Sequence, residues 1–176
     1  MPSNAHLPVE LQQRLDQIDP AKEYSGKFPK ISSTSGRMYF VKSGSVDEKE
    51  QYEGEAESLK AIEVAAPGLA PHLYEVGTLE SGRPYFISEY KDIGRLTTSA
   101  ANELAKRLAT ELHKLKSTNG FGFGVPTHCG PTRFANGWYE SWGKCYAAMY
   151  GTLIARLREK GRYEELCKIG DQVIKV

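Results

Sequence analysis

The sequence predicts an α+β fold in which a small antiparallel sheet carrying one helix is followed by part of a helical region. Three observations predict it. Short apolar runs dominate up to Asp92, and long helical periodicities dominate after Ile93. The break at Pro67-Gly68 and the turn Glu80-Ser81-Gly82-Arg83 punctuate the first part as strand–helix–strand–strand. Leu104, Leu108, Leu112 and Leu115 recur at helical spacing in the second part and mark a core helix.

Taken in order, the elements begin with a helix at Val9–Ile18 inside a polar lead-in, residues 1–19. Extended stretches follow at Lys27–Ser33 and Met38–Lys42, with Gly36 turning the chain between them. A helix spans Glu48–Ala66, and strands span Leu73–Thr78 and Pro84–Tyr90. Helices cover Ser99–Lys116, Trp138–Lys160 and Tyr163–Lys175. The sheet part is residues 20–92 and the helical part residues 93–176. No internal repeat or low-complexity segment interrupts them.

Composition narrows the partners. With 176 residues, 40% hydrophobic and 26% charged, the chain has enough apolar material for a packed core. A formal net charge of +1 gives no electrostatic basis for binding DNA, RNA or an anionic membrane. No run reaches membrane-spanning length, and no signal segment opens the chain. Cys129, Cys145 and Cys167 are too far apart for a zinc knuckle, and the four histidines are scattered. Free thiols in a reducing cytoplasm are expected, and no metal site.

The chemistry-bearing residues lie around one strand and one helix. Met38-Tyr39-Phe40-Val41-Lys42 is an apolar strand ending in a cation. At about 100° per residue, Tyr52, Ala56, Leu59, Ile62 and Ala66 share one helix face. Glu55 falls within that face, whereas Glu50, Glu53 and Glu57 point away. A carboxylate on the buried side needs a cation, and Lys42 is at hand; Glu63, also near the face, is the competing partner. A lysine on a sheet strand paired with a helix glutamate is how protein kinases hold the cation that meets the nucleotide's α- and β-phosphates. Pro84–Tyr90 then runs into Lys91-Asp92-Ile93-Gly94, placing Glu89 and Tyr90 where backbone groups would meet an adenine edge. Ser32 to Arg37, with Ser33 and Gly36, occupy the expected phosphate-covering turn. Trp138 and Trp142 are four residues apart and would share a helix face. His113 lies beside the leucine stripe and reads as a packing or capping residue. Phe121-Gly122-Phe123-Gly124 lacks the Lys-Ser/Thr of a phosphate loop.

Several segments in this order resemble the fructosamine/ketosamine-3-kinase family. They are Phe40-Val41-Lys42, Tyr52-Glu53-Gly54-Glu55-Ala56 through Ile62, Glu103-Leu104 through Leu115, Phe121–Gly124 with Thr127–Gly130, and Asn136-Gly137-Trp138 through Trp142. The resemblance covers about residues 37–155 and implies a protein-kinase-like fold. It further implies ATP and Mg²⁺ as cofactors and phosphorylation of the 3-hydroxyl of ribulosamine or fructosamine adducts on protein lysines, which is protein deglycation. On this reading Lys42, Glu55, Glu89, Tyr90, Ser33 and Gly36 bind ATP, and Trp138 and Trp142 frame the sugar. The family's catalytic loop has a His-x-Asp, and none occurs in this sequence; Asp171 is the only aspartate after Asp92. The chain is therefore expected to stop short of the catalytic and metal-binding loops. Two other readings remain: a kinase of aminoglycoside-like or choline-like alcohols, and a nucleotide-binding or interaction fragment without turnover.

Overall fold

The computed structural model describes residues 7–20 and 23–174. Residues 1–6 of the lead-in, and Lys175 at the end of the last predicted helix, lie outside the described residues. The chain forms two compact units, the first ending at Leu115 and the second starting at Lys116.

The first unit holds helix α1 (Val9–Ile18) and strands β1 (Tyr24–Lys27), β2 (Lys30–Ser33) and β3 (Met38–Ser43). Helix α2 (Lys49–Ala65), strands β4 (Leu73–Thr78) and β5 (Pro84–Glu89) and helix α3 (Thr98–Thr110) follow. The five strands form one antiparallel sheet in the order β1-β2-β3-β5-β4. Period-two alternation sorts their side chains. Tyr39 and Val41 join Leu11, Leu15, Ile31, Tyr85 and Ile87 in a cluster on the α1 face. Phe86 joins Tyr52 and Ala56 on the α2 face, with Phe40 and Leu59 beside them. The lead-in helix is thus part of this core: Leu11 and Leu15 are fully buried, and each such burial is worth about 1.5–3 kcal/mol.

The predicted Lys27–Ser33 strand is broken at Phe28-Pro29: Lys27 ends one strand and Lys30–Ser33 is the next. Tyr24–Lys27 and Lys30–Ser33 pair as a hairpin turning at Phe28-Pro29. Gly26 has a φ of 118°, and a Cβ there would lie 2.5 Å from the Lys30 carbonyl oxygen, so only glycine fits the hairpin. Ahead of α2, Ser45 and Glu48 form a capping box across a short 3₁₀ turn, Val46–Glu48. The Ser45 backbone and hydroxyl donors hold the Glu48 carboxyl below its ordinary range.

Beyond β5 the compact unit continues past Ile93, because α3 is tied back to the end of α2. Arg107 donates to the Pro67 carbonyl at 2.8 Å and pairs with Glu111 at 2.7 Å. The Leu104–Leu115 stripe is not a buried core: no residue of α3 is buried, and Leu104 and Leu115 are exposed. Leu108 and Leu112, between them, are half-buried. The helix also ends earlier than periodicity predicts, at Thr110, and His113 lies exposed in a 3₁₀ turn over Leu112–Lys114.

Buried phenols give this unit an alkaline limit. Burial, then hydrogen bonding to Asp19, pushes Tyr39 up to about 12. Burial and neighbouring carboxylates, Asp16 and Glu75 respectively, also raise Tyr24 and Tyr85. A phenol whose folded value exceeds its unfolded value of about 10 stabilises fully below that pH and loses its contribution as pH climbs through the folded value. Melting temperature is therefore expected to fall between about pH 10 and 12, with a late-titrating phenol fraction in ultraviolet difference spectra. Titration of all ten tyrosines in one step near pH ~10, with the fold intact, would contradict this.

The second unit carries four three-residue strands that the sequence reading missed: β6 (Phe121–Phe123), β7 (Thr127–Cys129), β8 (Thr132–Phe134) and β9 (Gly137–Tyr139). They form two antiparallel ribbons, β6 with β9 and β7 with β8. Gly122 sits where a Cβ would lie 1.8 Å from the Gly137 carbonyl oxygen, so the glycine between the two phenylalanines permits the close β6–β9 approach. Asn136, at φ 56°, donates to the Val125 carbonyl at 2.8 Å and to Thr127 Oγ1 at 2.9 Å. Helices α4 (Trp142–Glu159) and α5 (Glu164–Ile174) pack as a hairpin around Ile154 and Cys167, and Cys145 is buried near the start of α4. All three cysteines are free thiols. Among the described residues no helix is long and apolar enough to cross a membrane.

Candidate functional site

The site is built on the α2 face of the first sheet. Lys42 points there from β3, and its Nζ lies 2.5 Å from Glu55 Oε2 on α2. Glu63, the competing partner, instead accepts the backbone N–H of Gly68 at 3.0 Å and closes the end of α2. Two rings flank the ammonium: the Tyr52 centroid lies 4.6 Å from Nζ and the Phe86 centroid 4.8 Å. The pair is partly open to solvent, with Lys42 and Glu55 side chains 25% and 40% exposed. Its own share of stability is therefore small, and its value is the position it gives the cation.

A cleft of about 420 Å³ opens along the same face. Phe40, Leu59, Phe86 and Ile93 provide apolar walls, and Ser88, Glu89 and Tyr90 supply the polar edge. Mostly apolar walls with a few convergent polar groups suit a planar heteroaromatic ligand. The Glu89 carboxylate pairs with Lys91 at 2.6 Å and accepts the His72 N–H at 3.3 Å, and these donors, Lys91 foremost, hold it below the ordinary carboxylate range. The backbone N–H groups of Glu89 and Tyr90 are committed to the sheet, donating to the His72 and Met38 carbonyls at 2.8 and 3.1 Å. Any adenine edge here must therefore meet their carbonyls, or donors beyond Tyr90. Tyr90 also carries Lys30 Nζ over its ring at 4.6 Å.

Ser33 and Gly36 are not brought to this cation. Ser33 is buried and shares the α1 face with Ile31, on the other side of the sheet from Lys42. Gly36 belongs to the turn before Met38, about 13 Å along β3 from Lys42 at strand rise. The turn beside Lys42 is instead Phe28-Pro29, where the Pro29 carbonyl accepts the Val41 N–H at 2.7 Å. The Gly26 and Pro29 bracket was the sequence signal for that hairpin. With Pro8, Leu11, Leu79 and Arg83, this turn and Lys42 line a second hollow of about 350 Å³.

Trp138 and Trp142 do not share a helix face. Trp138 lies in β9, and Trp142 opens α4. The reason is local: Gly137 has a φ of 136°, outside helical space, and Ser141 caps α4 by accepting the Lys144 N–H at 3.2 Å. Both indoles are exposed, 41% and 57%. Trp142 instead begins a row of rings the sequence reading missed. Phe121 lies 6.4 Å from it, Tyr146 6.0 Å, and Tyr150 stacks on Tyr146 at 5.6 Å. The signal was present as i, i+4 spacing from Trp142.

Strand lysine, helix glutamate, antiparallel sheet and adjoining cleft define a protein of kinase-like fold. A crystal structure from Haemophilus somnus 129PT, whose assignment as a fructosamine-3-kinase is provisional, superposes with a TM-score of 0.67 at 21% identity. It covers 83% of this chain and 49% of that one. The fructosamine kinase family model matches residues 17–174, and the chain belongs to that family. A chloroplastic protein-ribulosamine 3-kinase of Arabidopsis thaliana is 34% identical over 114 residues, 64% of this chain and 34% of its own. One from Oryza sativa subsp. japonica is 33% identical over 115 residues, 65% of this chain and 33% of its own. The chain thus spans about a third of the length of these curated relatives.

Proposed function

We propose that this chain forms the nucleotide-binding part of a kinase that transfers phosphate from ATP to the 3-hydroxyl of ketosamines, ribulosamine or fructosamine, on protein lysines. The observation that carries the reading is the Lys42–Glu55 pair at 2.5 Å beside an apolar cleft. In this role Lys42 meets the α- and β-phosphates, and the cleft takes the adenine between Phe40 and Phe86. Phosphorylation of the sugar's 3-hydroxyl destabilises the adduct, so the outcome in the cell is deglycation, which we place in the cytoplasm. The exposed Trp138 and Trp142 offer apolar ring faces of the kind on which a sugar can lie. Among the described residues no cluster of three or more His, Cys, Asp or Glu side chains could hold a metal ion. No described residue is assigned to Mg²⁺, which we place with the nucleotide phosphates.

One observation favours a second reading, nucleotide binding without turnover: no His-x-Asp occurs in these 176 residues. Both readings require nucleotide binding. Mg-ATP at about a hundred times its Kd is expected to stabilise the fold by ~2.7 kcal/mol, raising Tm by about 5–10 °C. A ribulosyl-lysine analogue added with it raises Tm further if the sugar site is present. A melt unmoved by saturating Mg-ATP would sink both readings. Release of ADP dependent on the analogue decides for turnover.

A further inference from the structure

We propose that Tyr52 is a positioning residue for Lys42, holding the ammonium between its own ring and that of Phe86 at the edge of the cleft. The proposal rests on the nucleotide-binding reading above and names a group which that reading does not use.

Glu55 alone is a weak anchor. Its side chain is 40% exposed, so water and salt screen the attraction, and a four-carbon lysine stem leaves the ammonium many other rotamers. The two rings supply what the carboxylate lacks. Phe86 and Tyr52 are buried, at 1% and 7% exposure, and their centroids stand 4.8 and 4.6 Å from Nζ. A cation within about 6 Å of a ring centroid is attracted by the ring quadrupole, more strongly when desolvated. The rings also occupy volume the stem would otherwise sweep. They come from different elements, Phe86 from β5 and Tyr52 from α2, so the seat exists only when helix and sheet are docked. Phe86 is Lys42's direct cross-strand partner, which fixes one wall by register.

The other wall depends on a glycine. A Cβ at Gly44 would lie 2.8 Å from Tyr52 Cε2 and 2.7 Å from Glu48 Oε2. No real Cβ tolerates such contacts, so any side chain at 44 pushes the Tyr52 ring out of place. Gly44 lies two residues beyond Lys42, and its missing side chain is the space the Tyr52 ring uses. Burial, with Glu48 and Glu55 nearby, raises the Tyr52 phenol, so the ring stays neutral in any ordinary buffer. The contact is with the ring face and does not need the hydroxyl.

The test uses the full chain and compares wild type with Tyr52→Leu, Tyr52→Phe and Gly44→Ala. Two readouts are taken: the Lys42 ε-methylene resonance by carbon–proton NMR, and Mg-ATP affinity by titration calorimetry. In wild type, ring currents from two faces displace the Lys42 resonance from the other lysines. Tyr52→Leu is expected to return it about half way, the Phe86 ring remaining opposite Lys42, and to weaken Mg-ATP binding roughly fivefold. Tyr52→Phe restores the displaced resonance and brings affinity back to within about twofold of wild type. A merely structural loss would not show this pattern. Gly44→Ala moves both readouts in the same direction as Tyr52→Leu, and decides the matter if Tyr52→Leu fails to fold. An undisplaced wild-type resonance, Phe behaving like Leu, or a lost displacement with unchanged affinity would each overturn the proposal. Failure of the nucleotide reading is distinguishable: wild type then binds no Mg-ATP, and the resonances alone decide whether Tyr52 seats the lysine.

Discussion

Lys42→Met is expected to weaken Mg-ATP binding about ten- to a hundredfold, the size of one lost charge-assisted contact to phosphate. Methionine keeps the apolar stem between Tyr52 and Phe86, so the core of the α2 face stays filled. It removes only the cation. The ion pair contributes little to folding because both members are partly exposed, 25% and 40%, so the apo melting temperature should move little. Glu55→Gln is expected to cost less, about threefold in affinity, because the amide retains the shape and the two rings still hold the ammonium. Titration calorimetry with Mg-ATP on the three proteins, alongside apo melts, gives the comparison. Equal affinity for Lys42→Met and wild type, with both folded, would remove Lys42 from the phosphate site. A collapse of the apo melt would instead make the pair structural.

This contrast between position and stability explains what was legible in the sequence. The Lys42–Glu55 pairing followed from helix arithmetic: a carboxylate on an apolar face needs a cation, the preceding strand ends in one, and Glu63, the competing carboxylate, is used elsewhere. Periodicity also placed β4 and β5, since Leu73–Thr78 and Pro84–Glu89 are bounded by turn residues. What failed were features set by long-range register or by three-residue elements. Ser33 looked like a phosphate-loop hydroxyl because it lies in a Ser-Thr-Gly turn. Its side is decided by pairing, with Ile31 opposite Tyr39, which puts Ser33 on the α1 face. The run from Lys27 to Ser33 has the look of one strand, but the proline inside it disfavours that, and the chain turns at Phe28-Pro29. Trp138 was placed on a helix by its spacing from Trp142. Three residues of strand carry no usable period, whereas the backbone at Asn136 and Gly137, with φ of 56° and 136°, does not permit a helix there. The leucine stripe of α3 shows the converse: its period correctly gives a helix but says nothing of whether the described chain covers its face.

Asp19 is the largest consequence that no local pattern announced, and its removal is expected to destabilise the first unit by about 2–4 kcal/mol. It follows α1 directly and looks like an ordinary polar residue ending a lead-in. In the fold it is fully buried. Its Oδ2 accepts the Ser35 hydroxyl at 2.5 Å and the Tyr39 hydroxyl at 2.9 Å, tying the end of α1 to the β2–β3 turn and to the strand that carries Lys42. The partners lie 16 and 20 residues away, so the network forms only once the hairpin is in register. Asp19→Ala leaves the fully buried Tyr39 hydroxyl without this acceptor, and the desolvation cost of such a group exceeds the net value of the bond it loses. Asp19→Asn keeps an acceptor oxygen and should cost roughly half as much. Both tryptophans lie in the second unit, so their fluorescence is the wrong probe; amide hydrogen exchange across β2, β3 and β5 reports the first unit directly. Asp19→Ala should speed exchange at the slowest of these amides by about thirty- to a thousandfold, the conversion of that free energy under global opening. Protection within about threefold of wild type would mean that Ser35 and Tyr39 find other partners and that the buried carboxylate does not hold the strand.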